Sequence, residues 1–130
     1  MTEQELLAHA DAWIRYWHAP EGSTERDESD WATDLYDLTY DDSETLWKLI
    51  LAIHSKDQSP TIQQVLSAGP VEDLLDKHGA DFISRIEIEA RRDPAFAKLL
   101  GGVWKSGMSE DIWLRLQAVW DRRGWDGIPE

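Results

Sequence analysis

Apolar positions recur at three- and four-residue spacing along most of this chain, the period of half-buried α-helices. Leu6, Leu7, Ala10, Trp13, Ile14 and Trp17 form one stripe of a helix over roughly 3–18. Thr2 and Glu5 supply its capping box, and Pro20 and Gly22 end it. Residues 19–30 are polar without a period and read as an exposed loop. Ser29 or Asp30 starts a short helix carrying Trp31, Leu35 and Leu38. Asp41, Asp42 or Ser43 starts the next. Its Leu46, Trp47, Leu49, Ile50 and Ile53 cover more than one face, which marks the central buried helix.

Proline starts and glycine stops punctuate the second half. Ser59-Pro60 opens a helix that Gly69 ends, and Pro70 opens another that Gly79 closes. A helix over 80–92 turns Phe82, Ile83, Ile86 and Ala90 inward. Asp93-Pro94 opens the next, frayed by Gly101-Gly102. Ser109 caps a last helix with Ile112, Trp113, Leu116, Val119 and Trp120 at helical spacing, stopped by Gly124. No segment alternates strictly, so no strand is predicted. The expected fold is all-α: one domain over 1–130, a single compact bundle of about seven or eight short helices, with stacked helical hairpins as a variant. No self-similar period supports a solenoid.

Composition narrows the setting. The 130 residues suffice for one domain without staples, and cysteine is absent. No apolar run approaches a membrane span, and Met1–Glu5 lacks the basic start of a signal peptide. A cytoplasmic location is expected. The formal net charge is −13, and it is uneven. Residues 1–44 hold 13 acidic and 2 basic residues, whereas 45–130 hold 13 and 11. Such a field repels nucleic acid and anionic membranes, and it attracts a basic protein surface. Solubility alone is the competing explanation.

One block has a recognisable order. It runs Ala68-Gly69-Pro70-Val71-Glu72-Asp73-Leu74-Leu75, His78-Gly79, Ile86-Glu87, Glu89-Ala90-Arg91, Asp93-Pro94, Phe96, Leu99-Leu100 and Val103-Trp104. It resembles a family of small bacterial proteins of unknown function over roughly 45–120, with Gly-Pro-x-Glu-Asp-Leu-Leu as its most specific element. The resemblance implies a bacterial origin and no activity, cofactor or catalytic residue. The acidic N-terminal third lies outside it.

Signals for chemistry are sparse. Glu72 and Asp73 point about 100° apart on a helix, and Glu87 and Glu89 share no face, so a metal site is not expected. Those carboxylates suit a positive helix start, His78 suits a helix end, and Glu87–Arg91 suits a pair four apart. Gly101-Gly102 lacks the lysine and strand of a phosphate loop, and no serine has a triad context. His9, His18 and His54 are scattered. No enzyme and no cofactor is expected. Trp13, Trp17, Trp47, Trp113 and Trp120 fall on apolar stripes and read as core. Trp31, amid charge, and Trp125, past Gly124, read as candidate exposed anchors.

The acidic run remains. On one helix starting near Asp30, Asp30, Asp34, Asp37 and Asp41 would share a face, with Trp31 beside them and Tyr36 and Tyr40 nearby. Like charges in a row repel unless something positive meets them. The spacing lacks the glycine and closing glutamate of a calcium loop. The expected partner-binding residues are Glu28, Asp30, Trp31, Asp34, Asp37, Tyr40 and Asp41. The expected function is capture of a basic protein, concretely an immunity-type inhibitor of a toxin. Alternatives are a structural or oligomerising helical module with a merely solvated acidic surface, and a nucleic-acid-mimicking inhibitor. Oligomeric state is left open.

Overall fold

A capping box closes the start of α1 (Glu3–His18): the Glu5 N–H donates to Thr2 Oγ1 at 3.1 Å, and the Thr2 N–H donates to Glu5 Oε1 at 2.9 Å. It does so in a computed structural model that describes residues 1–125. The chain divides into two compact units, Met1–Val65 and Leu66–Glu130. All regular structure among the described residues is helical, with no strand.

In the first unit α1 packs on α4 (Ser43–Lys56), on α2 (Thr24–Ser29) and on a 3₁₀ turn, Asp30–Thr33; α3 (Tyr36–Asp41) packs on α4. Asp42 caps α4, accepting from the Thr45 N–H at 3.2 Å and the Thr45 hydroxyl at 2.7 Å. Leu46, Trp47, Leu49, Ile50 and Ile53 are buried, as a central helix requires. The polar stretch 19–30 is not a plain loop. Ser23 caps α2 through the Arg26 N–H, and the Arg26 guanidinium lies 4.4 Å over the Tyr16 ring while Nε donates to the Tyr16 carbonyl. One arginine therefore seats a helix that has no apolar stripe.

The second unit follows α5 (Pro60–Leu66), which spans the division between the two. Its long element is α6 (Glu72–Arg92), packed on α7 (Pro94–Leu100), on α8 (Glu110–Gln117) and on a π turn, Ser67–Val71. Gly69 and Gly79 do not end helices. Gly69 and Pro70 lie inside the π turn, whose wider ladder tolerates a residue without an N–H. Gly79 lies inside α6, beside a kink at His78 (φ −136°, ψ 25°). A Cβ on Gly79 would stand 3.2 Å from the Ile112 side chain, so this glycine serves a close helix approach. Six α-helices of seven residues or more result among the described residues, fewer than expected.

Gly101-Gly102 does not fray α7. Both residues are buried beneath segment 121–125. A helix end leaves carbonyls without intrahelical donors. Here the Asp121 N–H donates to the Ala97 carbonyl at 2.9 Å, Trp125 Nε1–H to the Lys98 carbonyl at 2.7 Å, and Arg122 to the Gly101 carbonyl at 3.2 Å. Trp125 is therefore a cap over α7, not an exposed anchor. Trp13, Trp47 and Trp113 are buried, whereas Trp17 and Trp120 are half-buried. Glu87 pairs with Arg115 of α8 (Nε to Oε2, 3.1 Å), so its main partner is not the expected Arg91. No helix among the described residues is long and apolar enough to cross a membrane.

Candidate functional site

The first unit carries 14 acidic against 4 basic residues, a balance of −10, and the second 12 against 9, a balance of −3. Charge is therefore concentrated where the acidic run was expected to act.

His9 on α1 positions the start of that run. Its side chain is buried, and Nε2 lies 2.9 Å from the Ala32 carbonyl. A carbonyl only accepts, so Nε2 carries the proton and donates. The Trp31 ring packs on the imidazole at 4.9 Å, yet Trp31 stays 57% exposed. Histidine spacing gave no hint of this pin, because its partner is a backbone atom 23 residues away.

The expected face of four carboxylates does not form on one helix. Asp30 begins the 3₁₀ turn, Asp34 is extended (φ −83°, ψ 101°), and only Asp37 and Asp41 share a helix, α3. The cause is local. Asp34 Oδ1 accepts the Tyr36 N–H at 3.1 Å, an Asx turn that replaces the helical ladder at this point. Leu38 and the buried Thr39 lie on the inner side of α3, and the Thr39 hydroxyl donates to the Leu35 carbonyl.

Two columns then lie side by side on the outer surface of α3. Tyr36 and Tyr40, four residues apart, bring their rings to 4.6 Å and are 65% and 49% exposed. Asp37 and Asp41, also four apart, form the adjoining column. Among the described residues no cation pairs with Asp30, Asp37 or Asp41. Glu28 differs, because Arg15 holds it at 2.8 Å. Of the expected residues, Trp31, Asp30, Asp37, Tyr40 and Asp41 are exposed and lie within 12 residues of chain. Asp34 is exposed but works as a turn residue, and Glu28 already has a partner. Tyr36 belongs with Tyr40, which the shared four-residue spacing signalled.

Several other carboxylates are tied into the fold. Hydrogen bonds from Thr45 hold the Asp42 carboxyl below its ordinary range. In the second unit, burial pushes Glu72 and Asp73 up, and neighbouring Asp76 adds to both shifts. Glu72 meanwhile accepts from the Trp104 N–H and Ser106, and Asp76 Oδ1 accepts the Gly107 N–H at 3.0 Å. These groups anchor the loop after α7. Among the described residues no group of three or more histidines and carboxylates is placed to hold a metal ion. A groove of about 420 Å³ in the first unit, lined by Met1, Thr2, Glu3, Leu6, Thr45, Lys48 and Leu51, has no convergent acid–base pair.

The family described as a family of unknown function, DUF6869, matches residues 19–124. That span is wider than the expected 45–120 and takes in the whole acidic run. No curated protein and no solved structure matches the chain.

Proposed function

The chain belongs to DUF6869, a family of unknown function, and from its own surface we propose that it is an acidic binding protein that captures a basic protein partner. The concrete form is an immunity-type inhibitor: a bacterial, cytoplasmic protein, without cofactor or enzymatic activity, that blocks a basic toxin. One observation carries the reading. Exposed Asp30, Asp37 and Asp41, with no cation partner among the described residues, stand in the same short segment as exposed Trp31 and Tyr36. Unpaired like charges on one segment repel, and a basic surface relieves that repulsion on docking. Exposed aromatics supply the apolar contact area that charge alone lacks. Attraction between opposite charges speeds encounter more than it tightens the final complex.

Quantitative affinity capture from the native host tests this. The wild-type chain should retain a basic protein that salt elutes. The Asp37→Lys/Asp41→Lys variant, with an unchanged circular dichroism spectrum, should lose it. Equal retention by both chains would end the reading. A nucleic-acid-mimicking inhibitor differs only in the identity of the retained protein. An oligomerising module is the second reading, favoured by Ile88 and Leu114, which are 61% and 57% exposed in the second unit. Light scattering separates it: a mass that rises with concentration supports it, and a constant monomer mass removes it.

A further inference from the structure

We propose that segment 118–124 is a two-state strap: it lies across the end of α7, or it winds on as a continuation of α8 to Gly124, and a clasp between Asp121 and Arg123 selects the strap. This device lies wholly in the second unit and does not depend on the capture reading.

Sequence and fold disagree about where α8 ends. The stripe of Ile112, Trp113, Leu116, Val119 and Trp120 keeps helical spacing beyond position 117. The stop signature lies further on, with Arg122 and Arg123 as a basic last turn and then Gly124. α8 nevertheless ends at Gln117. No proline or glycine lies between Glu110 and Arg123 to break it. Alanine is the strongest helix former, and Ala118 keeps right-handed helical angles (φ −71°, ψ −18°). The Val119 and Trp120 N–H groups still donate to the Leu116 carbonyl, each at 3.1 Å. Trp120 rests on Trp113 with ring centroids 5.2 Å apart, on the side that a spacing of seven also gives within one helix. The two forms therefore part only at Asp121.

Asp121 carries the choice. Its Oδ1 accepts the Arg123 N–H at 3.0 Å and Nε–H at 2.9 Å, and Oδ2 accepts Nη2–H at 2.8 Å. A carboxylate that accepts the amide two residues on makes a turn in place of the helical ladder. The same device divides the acidic run at Asp34. In the strap the Asp121 N–H donates to the Ala97 carbonyl. In a helix it turns back to the Gln117 carbonyl, so the bond to α7 and the cover over Gly101-Gly102 are given up together. Gly124 suits both forms, because its φ is +90° in the strap and a glycine of positive φ also closes a helix end. The end of α7 thus opens or closes with a short stretch of helix.

Hydrogen exchange and saturation-transfer NMR on the full chain test this. The Trp125 indole proton, which donates to the Lys98 carbonyl in the strap, reports opening. In Asp121→Ala its exchange should quicken about ten-fold, the effect of losing one hydrogen bond to a charged group. Saturation transfer should report a second state with helical Cα shifts over 118–123, its population raised by the same factor. Arg123→Ala breaks the clasp from its other end and should move both readouts the same way. Asp121→Asn keeps an oxygen for the Arg123 amide and should move them less. Indole exchange that stays at the wild-type rate in both alanine variants would overturn the proposal, since the clasp would then select nothing. Faster exchange with coil-like shifts over 118–123 would also overturn it, because the strap would release without extending α8.

Discussion

Replacing Gly101 with alanine places a methyl carbon 2.3 Å from the Asp121 carbonyl oxygen and 2.8 Å from Cδ1 of Trp125. The first neighbour is backbone, so a rotamer change does not relieve it. The chain has two ways to respond. It can keep segment 121–125 in place and absorb the overlap, which costs about 1–3 kcal/mol. It can instead release the segment and lose the three hydrogen bonds that cap α7, at about 1 kcal/mol each. The cheaper route sets the loss, about 1–3 kcal/mol. For a chain of this length the melting temperature should fall by about 3–15 °C. Thermal unfolding by circular dichroism and tryptophan fluorescence measures it. Trp125→Phe removes one of those hydrogen bonds and should cost about 1 kcal/mol. Gly107→Ala is the control: its nearest neighbour is the Asp76 carboxylate at 3.6 Å, an ordinary contact, and the change should stay within about 0.5 kcal/mol. A Gly101→Ala chain that melts within about 2 °C of wild type would refute the cap over α7.

Three further outcomes follow from named contacts. Burial opposes ionisation of Asp57, but hydrogen bonds from Ser59 and His18 outweigh it and hold the carboxyl below its ordinary range. A lowered folded-state pKa contributes stability above the unfolded value near ~3.9 and loses it as pH falls through the folded value. Urea midpoints should therefore separate Asp57→Asn from wild type at neutral pH and converge below about pH 4. Asp121 is held at about 2 by the hydrogen bonds of Arg123; in Arg123→Ala, carboxyl NMR shifts should show it titrating near ~3.9. Gly79→Leu drives a branched side chain into Ile112 at the crossing of α6 and α8, so chemical denaturation should show a loss of about 1–3 kcal/mol.

Much of the fold was legible because its signals are local. The Thr2–Glu5 box, the Ser109 cap, the Asp93-Pro94 start and a cap among Asp41, Asp42 and Ser43 are each decided within three residues, and all formed, the last at Asp42. The buried face of α4 was legible because its apolar residues outnumber what one stripe needs. The misreadings share a different cause. Gly79, Gly101 and Gly102 looked like stops, but each is small so that a distant segment can come close. α2 has no apolar period, since one arginine stacked on Tyr16 seats it. The acidic run had the spacing of a single helix, and the Asx turn at Asp34 divided it. The site was legible as a composition and not as a geometry. Charge pointed to the candidate surface, whereas the pin from His9 to Ala32 and the tilted Tyr36–Tyr40 ring pair come from the folded chain.

Capture at the acidic surface is tested most directly by the rate of association with the protein that the wild-type chain retains, followed by stopped-flow fluorescence across a salt series. Attraction by Asp30, Asp37 and Asp41 requires a rate that falls steeply as ionic strength rises, since screening shortens the reach of exposed charge to about 8 Å at physiological salt. The Asp37→Lys/Asp41→Lys chain should start slow and respond little to salt. A wild-type rate that does not change with salt, or a charge-reversed chain that associates as fast as wild type, would contradict capture at this surface.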